Sequence, residues 1–400
     1  MEKQDRNNER EVKMERRSFL KAGAVLGIAP LIAGLSGSSD AFAEIKDGKK
    51  RKLVPYIASD WWLIGAAPKD LSPAPPDEVQ KLVAERRRLS GRSDKQYDDY
   101  GQIMASKLSK IEPVDHHAFR GPDGYWHLWG CVRNTNVGRV LYHWRARNIE
   151  DSPWEETKQY FRSDAKAGEC IDDWYGQEWL QSPYFVYEKG TYYMFYGGHS
   201  TGKDKNGNPV SGNPPHIGMR KAESQICLMT SKNGVDWQRH RNQDGYSRVF
   251  VGPGQTRDPS LIKIKGIWHM YYSGDEQNHL IGGVFVRTSK DLINWSDYKL
   301  VHHDSTFGAT TFEHECPHVV YREGYYYLMV TEDYDLKTHV YRSEDPMDFG
   351  LTTEASQKLY IGILPCGAPE TYQVDGKEYI SSNHNPPLGT QMARLGWKPE

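Results

Sequence analysis

The sequence predicts an all-β fold, a five-bladed β-propeller preceded by a short and partly helical N-terminal extension. Three observations predict this fold. A phrase made of a residue pair, a hydrophobic run and a Gly followed by aromatic residues recurs five times. A second phrase, with Ser and an aromatic residue six positions apart, follows in three of the copies. The repeated Gly residues lie 52 to 76 positions apart, a length that fits the four strands and the turns of one propeller blade.

The first 43 residues have the features of an export signal. A charged stretch ends in Arg16-Arg17, an apolar run follows, and Ala41-Phe42-Ala43 is a small-x-small cleavage site. Twin Arg followed by Phe-Leu-Lys resembles a bacterial twin-arginine signal. No later segment approaches the ~20 apolar residues of a membrane span. We therefore expect a periplasmic or extracellular protein that has no membrane contact after cleavage.

Residues 44–110 are predicted to form the N-terminal extension. Their first part, 44–75, is polar and contains Pro, whereas 76–110 has helical composition with a first turn at Pro76-Asp77-Glu78. The net charge of the whole chain is −2 with both signs mixed, so no nucleic-acid partner is indicated. The 5 Cys are scattered without CxxC spacing, which argues against a metal or redox site built from Cys.

Residues 111–400 are predicted to form the propeller. In four copies of the phrase a Pro precedes the Gly by seven positions, and the first copy, His116-His117 to Gly124, has the same spacing without Pro. A four-stranded blade cannot bury both faces alone, so the units are expected to stack around an axis. A β-sandwich is the competing fold, but it would not explain why the same Pro-to-Gly spacing recurs in successive units. The four copies with Pro run from Ser182-Pro183 to Gly190, Asp258-Pro259 to Gly266, Cys316-Pro317 to Gly324 and Ala368-Pro369 to Gly376.

Acidic residues stand at this phrase in three of the copies: Asp115, Asp258 and Glu315. Inner strands of different blades would bring them together at the axis. Glycoside hydrolysis needs one carboxylic acid to protonate the leaving oxygen and one carboxylate to activate water or attack carbon. Neighbouring carboxylates can keep the first group protonated near neutral pH. Asp115 lies one place earlier in the phrase than Asp258, and strict strand alternation would turn the two to opposite faces. Asp172 and Asp173, ahead of the second unit, are alternative bases.

At these residues the chain resembles a group of known enzymes. Arg257-Asp258-Pro259, Glu315-Cys316-Pro317 and the phrase from Ser289 to Trp295 are similar to motifs of glycoside hydrolase families 43, 62, 32, 68 and 117, over roughly Val114 to the C-terminus. The resemblance implies that Glu315 is the general acid and that Asp258 stabilises the transition state and tunes the pKa of the acid. It implies that Asp115 is the general base, or the nucleophile of a retaining enzyme.

The resemblance also implies the substrate class, partners and cofactors. It predicts an exported hydrolase of plant or algal polysaccharide or oligosaccharide, with inversion favoured because features of families 43 and 117 outnumber those of family 32. The helical extension resembles that of family 117 and suggests a homodimer. In that family a His can act as the acid, so His302 and His303 are alternative catalytic groups. No cofactor is required, but His384 corresponds to a His that holds a metal ion in family 43, so a structural Ca²⁺ in the central channel is expected. The residues expected to contact substrate are Trp179, Gln181, Ser182, Arg257, Arg287 and His314.

Several alternatives remain open from the sequence alone. Arg257 could form a structural ion pair, Arg287 could brace the third blade, and Trp179 could belong to the core. The enzymatic alternatives are a retaining β-fructosidase-type hydrolase and a glycoside phosphorylase, which would need a basic phosphate pocket beside Glu315. A non-catalytic carbohydrate-binding propeller is the alternative from another class, because propellers host many functions.

Overall fold

The computed structural model describes most of the predicted propeller and part of the segment before it. The predicted export signal, most of the helical segment and most of the polar insertion at His199 to Lys221 lie outside the described residues. Within the described part, no helix is both long and apolar enough to cross a membrane. The described residues are 49–74, 77, 110–169, 180–199, 224–276, 281–332, 336–384 and 389–400.

Five antiparallel sheets follow one another along the chain, and the predicted five-bladed propeller is confirmed. Two short strands come first, β1 (Leu53–Ile57) and β2 (Trp62–Gly65). The strands of the first blade pair in chain order. They are β3 (Glu112–Arg120), β4 (Trp126–Thr135), β5 (Gly138–Ala146) and β6 (Glu155–Phe161).

The next three blades repeat this order from the inner to the outer strand. The second blade has β7 (Leu180–Glu188), β8 (Thr191–His199), β9 (Ser224–Ser231) and β10 (Gln238–Arg239), and β11 (Arg248–Val251) also pairs with β9. The third has β12 (Arg257–Ile264), β13 (Ile267–Glu276), β14 (Ile281–Ser289) and β15 (Lys299–His302). The fourth has β16 (Glu315–Arg322), β17 (Tyr325–Thr331), β18 (Thr338–Ser343) and β19 (Tyr360–Leu364). Short helices are Ala165–Ala167 and Thr311–His314, both 3₁₀, and α1 (Thr353–Leu359).

The fifth blade joins the two ends of the described chain. Its inner strands are β20 (Glu370–Val374), β21 (Lys377–His384) and β22 (Gly389–Pro399). The fourth position is filled from the N-terminal side, because both β1 and β2 pair antiparallel with β22. The propeller therefore reaches back to Leu53, into the segment that the sequence assigns to the extension. This pairing closes the ring and leaves β22 without a free edge.

Removing β1 and β2 is expected to destabilise the whole propeller. A chain that begins at Ala66 loses the ladder to β22 and the packing of Leu53 and Ile57 on the core between the fourth and fifth blades. At ~0.5–1.5 kcal/mol for each lost hydrogen bond, we expect the midpoint of thermal unfolding to fall by about 10 °C or more. A chain that begins at Glu44, after the predicted cleavage site, is the control. Equal midpoints in differential scanning calorimetry would show that the ring does not depend on this closure.

The repeated phrase has a direct structural explanation. In four of the five copies, its Gly is the second residue of a two-residue hairpin turn in which both residues have positive φ, as in Lys189-Gly190 and Lys265-Gly266. This is the backbone of a type I′ turn, which suits the twist of the flanking strands. The hydrophobic run between the pair and the Gly is the inner strand, whose apolar side chains pack between neighbouring blades. One such cluster joins Ile262 of the third blade to Val319 of the fourth.

Candidate active site

The residue pair at the start of the phrase forms a β-bulge on the innermost strand. Ser182, Asp258 and Cys316 have φ of 52°, 59° and 48°, and each precedes a Pro. The ladder to the second strand skips the pair in each blade, for example between Arg257 and Ser260. A positive φ at the first bulge residue is the geometry of a bulge that re-aims its side chain. Since the inner strands all begin at the same end of the propeller, the bulges face one another around the axis.

Asp115 reaches the same place through a different register. Its bulge skips Val114 and Asp115, and the hairpin that follows has a five-residue loop, 121–125, instead of a two-residue turn. Counted back from the hairpin, Asp115 therefore comes one place after the position of Asp258, not one place before it. The opposite orientation that strict alternation would give is wrong, because alternation does not extend through a bulge.

Ser182 joins the two aspartates. Its Oγ lies 2.5 Å from Asp258 Oδ1 and 2.9 Å from Asp115 Oδ2. A hydroxyl has a single proton to donate, so Ser182 donates to one of the two carboxylates at a time. Asp258 Oδ2 accepts from Cys316 N at 3.1 Å and from Ser273 Oγ at 3.2 Å. Burial and the charge of Asp115 raise the pKa of Asp258, whereas Arg257 lowers it.

Glu315 is the most deeply buried of the three predicted acids, at 2 % exposure. Burial, followed by the charges of Asp258 and Asp115, raises the pKa of Glu315 to about 8, although Arg257 acts in the opposite direction. Arg257 donates to Glu315 Oε1 at 2.9 Å, and its Nε lies 3.5 Å from Asp258 Oδ2. It also donates to the side chain and carbonyl of Thr311. The structure thus places Arg257 as the ion-pair partner of the acids.

Two further side chains at the axis were not predicted from the sequence. The thiol of Cys316 lies 3.5 Å from Asp115 Oδ1, and burial and the three carboxylates raise the pKa of Cys316. Glu370, from the fifth blade, pairs with His318 Nδ1 at 2.9 Å. Burial raises the pKa of Glu370, with smaller contributions from Asp115 and Asp258, while His318 lowers it. Glu370 follows Ala368-Pro369 in the phrase, so its place in the repeat was the signal that could have found it.

These groups surround a small cavity at the axis. Its volume is about 10 Å³, close to that of one water-sized probe. It can therefore hold a water molecule next to the aspartates. The residues that line it are Asp115, His116, Ser182, Pro183, Asp258, Pro259, Cys316, Pro317, Ala368 and Glu370.

The described side chains at the axis do not form a suitable ligand set for a calcium ion. One ligand atom each from Asp115, Asp258 and Cys316 lie within 4.8 Å of one another, but a thiol does not suit Ca²⁺, which takes 6–8 oxygen ligands. Glu370 and His318 pair with each other. The side chain of His384, at the end of β21, lies outside the described residues. The calcium ion expected from the resemblance stays a prediction, and the described side chains do not fit it.

The other predicted site residues lie in structural contacts. Gln181 accepts a hydrogen bond of 2.6 Å from Arg139 and is buried beside the axis. Arg287 donates to Ser296 O and lies over the rings of Phe250 and Tyr298. This favours the alternative in which Arg287 braces the third blade. Trp179, Asp172 and Asp173 lie outside the described residues.

The histidines before Glu315 have their nitrogens in backbone contacts. His314 Nδ1 donates to Thr310 O at 2.8 Å, and its Nε2 accepts from Asp304 N at 3.1 Å. Burial lowers the pKa of His314 to about 4 and that of His302 to about 3. His303 Nδ1 lies 2.7 Å from Gly282 O. Buried neutral histidines are poor proton donors, so this geometry favours Glu315 as the acid.

Comparison with known proteins gives one family match and many similar folds. The model of the glycosyl hydrolases family 32 N-terminal domain matches residues 210–321, a segment that includes Asp258 and Glu315. Similar structures include a family 32 β-fructofuranosidase of Bombyx mori (16 % identity, TM-score 0.49), covering 80 % of this chain and 66 % of the silkworm chain. A Bacillus subtilis arabinanase has 16 % identity and TM-score 0.47, covering 71 % of this chain and 94 % of its own. A family 43 enzyme of Xanthomonas citri has 13 % identity and TM-score 0.47, covering 72 % and 89 %.

The five sheets define the fold class of this protein, a five-bladed β-propeller, and the segment 210–321 is similar to the N-terminal domain of glycosyl hydrolases family 32. The resemblance predicted from the sequence is confirmed at this level. The family 32 match covers the segment that holds two of the three predicted acids, so it falls on the candidate site itself.

Proposed function

We propose that this chain is an exported enzyme that hydrolyses glycosidic bonds in plant or algal polysaccharides or oligosaccharides. The observation that carries the proposal is the meeting of Asp115, Asp258 and Glu315 at the axis, with the pKa of Glu315 raised to about 8 and Asp115 accepting hydrogen bonds. This is the pairing of one acid and one base that glycoside hydrolysis needs. Export is supported by the predicted twin-arginine signal at residues 1–43.

Glu315 supplies the proton for the leaving oxygen. Burial keeps its carboxyl group neutral, and Arg257 becomes the counter-ion once the proton has left. The charge of Asp258 helps to raise the pKa of Glu315. The carboxyl group of Asp258 lies between Arg257 and the Ser182 hydroxyl. General acid catalysis is most effective when the pKa of the acid lies near the working pH.

Asp115 acts as the general base in the proposed inverting reaction. It accepts a hydrogen bond from Ser182 Oγ at 2.9 Å, and it lines the cavity that can hold one water molecule. An inverting enzyme needs such a water between its base and the sugar. The water-sized cavity beside Asp115 can hold this water molecule.

A retaining β-fructosidase-type hydrolase is the second candidate, and the family 32 match at residues 210–321 favours it. In that reaction Asp115 attacks the anomeric carbon and the two catalytic carboxyl groups lie only ~5 Å apart. The anomeric configuration of the first product, followed by ¹H NMR, separates the two. The inverted anomer supports the proposal, and the retained anomer establishes the second candidate.

The pH dependence of kcat/KM is expected to report the pKa of Glu315. The rate should fall on the alkaline side through about pH 8, because Glu315 loses the proton it must donate. In Asp258→Asn one negative charge beside Glu315 is removed, which lowers the pKa of Glu315. The alkaline limb should therefore move to lower pH. An alkaline limb at the same pH in both proteins would assign it to another group.

A further inference from the structure

A second groove lies on the rim of the propeller, between the outer strands of the first two blades. Its volume is about 480 Å³, within the range of ligand pockets. Its walls come from β6 and from the residues that lead into β10, including Tyr160, Phe161 and Trp237. The axial carboxyl groups lie on innermost strands, so this groove is separate from the candidate active site.

The aromatic rings of the groove are held in place from behind. Phe161 stacks on Trp129 at 4.9 Å between ring centroids, and Trp129 stacks in turn on His143 at 4.6 Å. Tyr160 is parallel to the buried Tyr142 at 6.3 Å. Rings fixed in this way lose little conformational freedom when a ligand binds.

Trp237 forms the opposite wall and is also fixed. Its ring packs against Phe185 at 5.4 Å and edge-on against Phe119 at 6.1 Å. Val235, 39 % exposed, extends the apolar surface, and Gln238 adds an exposed amide. The groove thus has preformed apolar faces on both sides.

Polar groups of both charge signs border these faces. Gln159 and Gln238 present amides that can both donate and accept hydrogen bonds, while Lys158 and Asp236 contribute opposite charges. A nucleic acid or an acidic peptide would need an excess of positive charge. Flat apolar walls with amides at their edges instead suit a neutral ligand that has apolar ring faces and many hydroxyl groups.

We propose that the rim groove binds a segment of a neutral polysaccharide and holds the polymer while the axial site acts on it. The proposal rests on the proposed function for the identity of the ligand. Apolar C–H faces of the sugar rings contact the aromatic walls, and the hydroxyl groups pair with Gln159 and Gln238. Short oligosaccharides that fill only the axial site do not use the groove.

The test measures polymer binding by the mature chain in which Glu315→Gln removes turnover. Affinity electrophoresis in native gels with arabinan, levan or agarose gives an apparent Kd for each polymer. Trp237→Ala should weaken binding of at least one polymer by about tenfold or more, as expected for an aromatic residue that carries binding energy. Gln238→Ala, at an exposed residue, should weaken it by about threefold or more without affecting folding.

Trp295→Ala is the matched control. Trp295 holds the same position in the second phrase of the third blade and packs against Phe195 at 5.7 Å, but it does not line the groove. Polymer binding should be unchanged in this variant, as should hydrolysis of short substrates by Trp237→Ala in the active chain. Equal losses in Trp237→Ala and Trp295→Ala, no loss in the groove variants, or no retention of the parent by any of the three polymers would each overturn the proposal. Polymer binding through the groove without any turnover by wild type would contradict the proposed function alone.

Discussion

Replacing Glu315 with Gln is expected to lower kcat on oligosaccharides by more than about 100-fold, because general acid catalysis contributes ~10²–10⁴. The variant keeps the size of the side chain and an oxygen that can accept from Arg257, which donates to Glu315 Oε1 in the structure. It removes only the proton that the leaving oxygen needs. An aryl glycoside with a good leaving group does not need that proton, so its hydrolysis should fall far less. The measurement is kcat for both substrates in wild type and variant.

Glu313→Gln is the control for this experiment. Glu313 lies two residues away in the 3₁₀ helix Thr311–His314, where it accepts from the backbone and hydroxyl of Thr310. Gln can form the same capping contact, so the activity should stay within about twofold of wild type. Equal losses for the two substrates in Glu315→Gln would show that Glu315 has a role other than proton donor. Full activity of Glu315→Gln would show that another group is the general acid.

Asp115→Asn is expected to remove at least about 10³-fold of the activity, and to do so for both kinds of substrate. An amide cannot take a proton from water or attack carbon, and neither role depends on the leaving group. Asn keeps an oxygen that can accept from Ser182, whose Oγ lies 2.9 Å from Asp115 Oδ2. The variant should therefore fold as wild type does. Steady-state kinetics together with a circular dichroism melt check both points.

Asp123→Asn provides the matched control in the same blade. Asp123 lies in the hairpin loop after β3 and contacts His127 Nε2 at 3.1 Å, away from the axial residues. Its replacement should leave kcat unchanged. If Asp115→Asn retains activity within about tenfold of wild type, the base is not Asp115. Asp172 and Asp173 would then be the next variants to make.

The repeat in the sequence predicted the propeller because it has a local structural cause. In the second, third and fourth blades the Pro-to-Gly interval is an inner strand between a bulge and a type I′ turn, and both features need particular residues. The closure of the ring has no such signature. β1 pairs with β22 across more than 300 residues. The segment that contains β1 is polar and resembles a linker in sequence. A pairing partner that distant cannot be inferred from local pattern.

The candidate site was predicted in part for the same reason. Asp258 and Glu315 lie in the regular phrase, whereas the register of Asp115 depends on a five-residue hairpin loop that the spacing hides. Cys316 and Glu370 lie in or beside the pair positions, but residue type alone did not mark them as site residues. Arg257 contacts Glu315, whereas Arg287 contacts Ser296 within the third blade. This difference in role depends on the tertiary structure and cannot be inferred from residue type.

The most direct test of the proposed hydrolysis is sugar release by wild type and by Glu315→Gln from one panel of substrates. The panel contains aryl furanosides, arabinan, fructan and agar or carrageenan oligosaccharides. The proposed mechanism predicts that wild type releases sugar from at least one natural member and that Glu315→Gln loses more than about 100-fold of this activity. No release from any member by wild type, or release that survives the substitution, would contradict the assignment of hydrolysis to the axial carboxyl groups.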